Sequence, residues 1–177
     1  MKKSILILFL SLPILSTLTS CGQREEDKDR GYIVKTGDMA PGFTMQLTTG
    51  ESVTLKDLRG KIVVLQFTAS WCSVCRKEMP HLEEEVWLPN KDKDFILIGV
   101  DYDEPLEKVK GFVNDMKITY PMALDPEAKI FSLFAHKKSG VTRNVVIDRE
   151  GKIVFLTRLY DTEEFEAMKE KIEELLN

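Results

Sequence analysis

Ile62-Val63-Val64-Leu65-Gln66-Phe67, followed after three residues by Trp71-Cys72-Ser73-Val74-Cys75-Arg76-Lys77-Glu78-Met79-Pro80, is the stretch on which the fold turns. The first six residues are almost continuously apolar and rich in β-branched side chains, the pattern of a strand buried on both faces. A helix is expected to begin at the first cysteine and run to Pro80, which bends it. Unsatisfied N–H groups at a helix N-terminus favour negative charge, so Cys72 should be exposed and ionise more readily than a free thiol. Cys75 lies one turn further in, buried and close enough to close a ring. Such a pair can exchange a disulfide with another molecule: Cys72 attacks, a mixed disulfide forms, and Cys75 resolves it.

Three other readings of the pair stay open at this point. A zinc site needs four ligands, and only His81 and His136 could join the two cysteines, neither at ligand spacing. A purely structural disulfide would close too short a loop to stabilise much. A chance pair on a loop fits poorly with a strand before it and a helix after it. Redox chemistry without metal or cofactor is the reading these residues favour.

Working outward, Phe43–Leu47 and Ser52–Leu55 flank Thr48-Thr49-Gly50-Glu51, a hairpin signal. Phe95–Val100 reads as a second buried strand. Pro105–Met116 puts Leu106, Val109, Val113 and Met116 on one side of a helix that starts with proline. Pro126–Phe134 reads as a short helix. Asn144–Ile147 and Ile153–Thr157 are strands joined by the turn-forming Asp148-Arg149-Glu150-Gly151. Thr162–Leu176 closes the chain as a helix whose buried stripe is Phe165, Met168, Ile172 and Leu175. This order implies an α/β sheet with helices on both sides, with no internal repeat and no second domain.

The 177 residues suit one domain plus short extra segments, and 43% hydrophobic residues can build a core without a disulfide scaffold. Lys2 and Lys3, then the apolar run Ile5–Leu15, read as a signal peptide over residues 1–20. Leu18-Thr19-Ser20-Cys21 resembles the lipobox of bacterial lipoproteins, which makes Cys21 the lipidated first residue of the mature chain. Residues 21–36 then read as a flexible charged linker, and 37–177 as the folded domain. Removing the leader leaves 23 basic against 29 acidic residues, a net charge of −6. Nucleic-acid binding, which needs a basic face, is thereby disfavoured.

Gly37-Asp38-Met39-Ala40-Pro41-Gly42-Phe43, Leu55-Lys56-Asp57-Leu58-Arg59-Gly60-Lys61 and Phe67 through Pro80 together resemble the TlpA/ResA-type thiol–disulfide oxidoreductases. These are a thioredoxin-like branch related to the AhpC/TSA peroxiredoxins. The likeness continues through Gly140-Val141 and Val145-Val146-Ile147-Asp148 to Gly151. It implies a thioredoxin-like fold: a central mixed β-sheet flanked by helices, an N-terminal β-hairpin, and an inserted β-α unit around residues 95–118. It also implies a redox disulfide between Cys72 and Cys75. Glu78 matches an acid that influences ionisation of the cysteines, and Trp71 an aromatic that shields the disulfide. Arg76 and Lys77 are candidates for steadying a thiolate, whereas His81 and Glu83–Glu85 read as an exposed helix face.

Two departures stand out. The acid that thioredoxins bury six residues before the first cysteine is Gln66 here, which cannot titrate, so a proton shuttle must use Glu78 or water. The proline that the family places after a Gly-Val pair, facing the disulfide, is Thr142, followed by Arg143. A cis bond to a non-proline residue costs about 2.5–4 kcal/mol, so the 141–142 bond should be trans. Trp71, Val141 and Thr142 are the residues the resemblance places at the substrate.

The resemblance implies a monomeric protein disulfide reductase, or an isomerase, lipid-anchored in the cell envelope with its domain in the periplasm or outside the cell. Protein thiols and disulfides would be its substrates, and a membrane transporter of the DsbD or CcdA type its electron donor. A thiol peroxidase is the first alternative, though Leu65 and Ala69 occupy the proline and hydroxyl positions of a peroxidatic loop. A redox-inactive binding lipoprotein is the second.

Overall fold

The computed structural model describes residues 30–177, so the leader, Cys21 and the first part of the charged segment lie outside the described residues. Seven strands form one sheet: β1 (Thr44–Leu47), β2 (Ser52–Thr54), β3 (Ile62–Thr68), β4 (Phe95–Tyr102), β5 (Met122–Asp125), β6 (Arg143–Ile147) and β7 (Ile153–Leu156). Their order across the sheet is β2-β1-β5-β4-β3-β6-β7. β4 runs parallel to β3 and to β5, and every other pairing is antiparallel, so the sheet is mixed. All seven residues of β3 are buried, as its apolar run implies for the central strand.

Three helices, α1 (Ser73–His81), α2 (Leu106–Met116) and α3 (Thr162–Leu176), accompany the sheet. Met79, Val109, Phe112, Phe165 and Met168 pack with Val64, Leu97 and Val146 in one core cluster. A second cluster joins Tyr32, Leu55, Phe131 and Phe134 to Leu65, Phe67, Val100 and Val145. Helices thus flank the sheet, the three α-helices sharing the first cluster while short 3₁₀ helices and the N-terminal segment cover the second face. No helix among the described residues is long and apolar enough to cross a membrane.

Local differences from the sequence reading have physical causes. β5 is enclosed between Pro121 and Pro126, too short to show a period of its own, yet it joins β4 to the hairpin. The segment Pro126–Phe134 is not one helix but two 3₁₀ turns, Pro126–Ala128 and Phe131–Leu133, because Glu127 and Ala128 both adopt positive φ. The Asp125 carboxylate then accepts the amides of Ile130 and Phe131 at 2.7 and 2.8 Å, holding the second turn. Pro80 lacks an N–H, and α1 accommodates the loss by widening into a π-helical turn over Leu82–Trp87 rather than ending.

The domain also begins earlier than position 37. Tyr32 is 1% exposed and its hydroxyl donates to the Thr157 carbonyl at 2.5 Å. Ile33 N–H bonds the Phe134 carbonyl at 2.8 Å, and Arg30 pairs with Glu164 at 2.7 Å. Tyr32 and Val34, packed on the core, and the Ile33 backbone tie residues 30–36 to the fold, while the Ile33 side chain is exposed.

Candidate active site

β3 delivers the chain to the top of the sheet, and Cys72 caps the start of α1 with extended backbone, as a helix N-cap requires. Its sulfur accepts the Cys75 N–H at 3.2 Å. Cys72 is 9% exposed, less than the sequence suggested, while Cys75 is fully buried. The two are joined as a disulfide with Cα atoms 5.3 Å apart. Just before them, the Ser70 N–H and hydroxyl both donate to Glu104, at 2.6 and 2.8 Å, fixing the loop that leads into the pair. Burial pushes Glu104 up, but bonds from Lys108 and Ser70 outweigh it and hold the carboxyl below the usual range.

Thr142 closes the site from the opposite loop. The 141–142 bond is trans, since the described residues contain no cis peptide, and Thr142 has φ +64°. Its hydroxyl lies 3.0 Å from the sulfur of Cys72 and 3.0 Å from that of Cys75. Its N–H bonds the Phe67 carbonyl at 3.0 Å and its carbonyl accepts the Leu159 N–H at 2.9 Å. Two arginines hold the loop from behind. Arg143 donates to the carbonyls of Gly140, Ser139 and Arg30, and Arg158 to those of Val141 and Ser139, at 2.8–3.2 Å. Arg143 is buried against the Tyr32 ring, 4.5 Å from its centroid.

Behind the sulfurs, Glu78 sits one turn along α1 from Cys75 and is buried. Its carboxylate accepts the Asn144 amide at 2.7 Å and the Gln66 amide at 3.2 Å. Tyr120 donates to Gln66 at 2.8 Å, and Asn144 to Thr157 at 3.0 Å, completing a chain of polar groups across the sheet. Burial raises the Glu78 pKa to about 7, the two amide bonds opposing it and the charge of Glu164 adding to it. At the end of β4, Asp101 is buried with no hydrogen-bond partner for either oxygen among the described residues. Burial, reinforced by neighbouring Glu104, raises its pKa to about 8.

Residues 36–156 match the model of the AhpC/TSA family. The chain belongs to the AhpC/TSA family. Among its relatives, the thiol-disulfide oxidoreductase ResA of Bacillus thuringiensis (strain Al Hakam) is 36% identical over 128 residues, 72% of this chain and 70% of that protein. ResA of Bacillus thuringiensis subsp. konkukian is 30% identical over 92% of both chains. Among solved structures, a candidate protein disulfide isomerase from Bacteroides thetaiotaomicron is 60% identical, with a TM-score of 0.80 over 82% of this chain and 92% of that one. A candidate thiol:disulfide interchange protein DsbE from Chlorobium tepidum is 28% identical, with a TM-score of 0.72 over 81% and 99%. The fold is thioredoxin-like.

Within this AhpC/TSA protein, Cys72, Cys75 and Thr142 meet at one point, with Glu78 one layer deeper. Val141 is buried and its carbonyl is already taken by Arg158. Trp71 is 61% exposed and rests edge-on against Tyr102, with ring centroids 6.5 Å apart. Arg76 turns away from the sulfurs, donating to the Ser70 carbonyl at 2.8 Å and lying over Phe112. Glu83 is not on an exposed face: it is buried and accepts the Thr119 N–H and hydroxyl at 2.8 and 2.5 Å. His81 is exposed as read, bonded to Glu85 at 2.8 Å and stacked on Tyr160. Sequence reasoning missed Asn144, Tyr120, Arg158 and the Ser70–Glu104 brace. An amide opening an otherwise apolar strand, Asn144-Val145-Val146-Ile147, was the available signal for the first.

Proposed function

We propose that this thiol–disulfide oxidoreductase works as a protein disulfide reductase at the cell envelope. The observation that carries the reading is the Cys72–Cys75 disulfide at the start of α1, with Cys72 9% exposed and its partner fully buried. In the reduced protein the Cys72 thiolate attacks a substrate disulfide; a Cys72–substrate bond forms and the substrate's other sulfur leaves as thiolate, to be protonated by water. Cys75 then loses its proton and attacks the Cys72 sulfur, releasing the second substrate thiol. Two electrons pass to the substrate and the Cys72–Cys75 disulfide is regenerated.

Glu78 is the group in this reading that takes the Cys75 proton. It is one helical turn away, and its raised pKa lets it hold or release a proton near neutral pH. Trp71 offers an exposed aromatic surface beside Cys72 for the substrate. The leader and the Leu18-Thr19-Ser20-Cys21 pattern support lipid anchoring through Cys21. In an oxidising envelope the spent disulfide needs a supply of electrons, which a membrane donor of the DsbD or CcdA type would give.

The test is the reduction potential of the pair, read by equilibration with a dithiol buffer, alkylation and peptide mapping so that Cys21 is scored separately. A value near thioredoxin's, about −270 mV, supports a reductase; one near DsbA's, about −120 mV, would overturn it.

A further inference from the structure

Among the described residues, Thr142 is the one side chain whose hydroxyl hydrogen-bonds the sulfurs, and it reaches both at the same distance, 3.0 Å. Among the described residues no cation hydrogen-bonds either sulfur. The Arg76 guanidinium is occupied by the Ser70 carbonyl, the Phe112 ring and, at 4.0 Å, Asp115. The other donor to Cys72 is the Cys75 N–H at 3.2 Å.

The position of this hydroxyl is costly to maintain. A β-branched residue at φ +64° is a conformational outlier that glycine would adopt freely. It persists because the loop is over-determined. Phe67 and Leu159 hold the Thr142 backbone on either side, and Arg143 and Arg158 clamp the carbonyls of the residues before it. Strain kept in place by so many bonds, with a polar group aimed at reacting atoms, points to a role in the chemistry.

We infer that the Thr142 hydroxyl is the donor that stabilises whichever of the two sulfurs carries negative charge. One hydroxyl proton serves one sulfur at a time. In the reduced protein it is donated to the Cys72 thiolate. Once Cys72 is tied to substrate, the hydroxyl turns to the Cys75 sulfur as that thiol loses its proton and attacks. The hydroxyl gains and loses nothing over the cycle, so the electron balance is that of the exchange itself. Thr142 is then a catalytic residue, and this rests on the dithiol reading of Cys72 and Cys75.

The experiment compares Thr142→Val, Thr142→Ser and Thr142→Gly in the reduced protein, following the pH dependence of Cys72 alkylation. Hydrogen bonding to a thiolate lowers its pKa. The midpoint should therefore rise by about one pH unit in Thr142→Val and Thr142→Gly and stay within about 0.3 of the parent in Thr142→Ser. The lifetime of the Cys72 mixed disulfide should lengthen about tenfold in Thr142→Val. Thr142→Gly relieves the backbone strain, so it keeps the test alive if the valine variant fails to fold. An unchanged midpoint in Thr142→Val and Thr142→Gly would overturn the proposal. So would a Thr142→Ser variant displaced as far as Thr142→Val, which would mark a role in fit rather than hydrogen bonding. Failure of the parent protein to reduce any disulfide would instead remove the underlying reading, since the alkylation midpoint depends on the thiols alone.

Discussion

Asn144 on β6 donates a 2.7 Å hydrogen bond to Glu78 on α1 while standing, in strand register, directly opposite Gln66 on β3, which donates to the same carboxylate. Two amides from neighbouring strands thus hold one buried acid against the helix that carries Cys75. Neither amide carries charge, so the carboxylate is hydrogen-bonded but not neutralised, and burial prevails in raising its pKa.

The sign of that shift sets a pH dependence of stability. Because the folded-state pKa of Glu78 is about 7 against an ordinary 4.5, the fold favours the protonated form. Its contribution is full below about pH 4.5 and is lost as pH rises through about 7, a span worth about 3 kcal/mol. Glu78→Gln should remove this loss. Urea unfolding at pH 5 and pH 8 should show the variant gaining on the parent by roughly that amount at the higher pH. Parallel behaviour of the two proteins would mean that Glu78 is ionised in the fold throughout.

The N-terminal boundary has an equally direct check. A chain beginning at residue 30 keeps Tyr32, its bond to Thr157 and the ring against which Arg143 is buried. A chain beginning at residue 37 loses all three and leaves a guanidinium whose Nη1 already lacks a partner among the described residues. Removing a buried aromatic side chain costs about 3–5 kcal/mol. The shorter chain should therefore melt about 10 °C lower; equal melting temperatures would show the segment to be dispensable.

The parts of this molecule that were legible in the sequence are those written in local pattern. The buried strand, the cysteines at the helix start, the closing helix and the β1–β2 hairpin follow from periodicity and turn chemistry. β5 and the break at Glu127–Ala128 escaped because neither is a local preference. The first is fixed by pairing with β4 and β1, and at the second the Glu127 N–H donates to the Asp103 carboxylate, 24 residues earlier in the chain. The site divides in the same way. Cys72 and Cys75 are three positions apart in sequence and were found; Asn144 is 66 residues from Glu78 and reaches it only through the β3–β6 register. Thr142 was visible as a departure, but its hydroxyl contact with both sulfurs depends on a positive φ that the residue type itself disfavours.

Trp71 should separate binding from stability. Being 61% exposed, it contributes little packing, and Trp71→Ala should change unfolding free energy by no more than about 0.5 kcal/mol. Its place beside Cys72 predicts a rise in KM for a protein disulfide, with little change in exchange against a small disulfide that needs no docking surface. Equal effects on both substrates would place Trp71 in the positioning of the sulfurs instead.

Reaction with hydrogen peroxide should distinguish this protein from a thiol peroxidase. A peroxidatic loop needs a proline seven residues and a hydroxyl three residues before its cysteine. Here those positions are Leu65, in the middle of β3, and Ala69, both fully buried. No loop can form at residue 65 without breaking the central strand, so the difference is architectural and not a matter of two substitutions. The hydroxyl that does face Cys72, on Thr142, is shared with Cys75 and comes from the opposite loop. The reduced protein should therefore consume peroxide at about the rate of a free thiol of the same pKa. Any sulfenic acid formed on Cys72 should be captured by Cys75, giving the disulfide and water, whereas Cys75→Ser should leave the sulfenic acid open to further oxidation. Stopped-flow measurement with the reduced protein reads the rate, and mass spectrometry reads the product. A rate orders of magnitude above that of a free thiol would mean that the Thr142 side of the site can do what the missing loop does elsewhere.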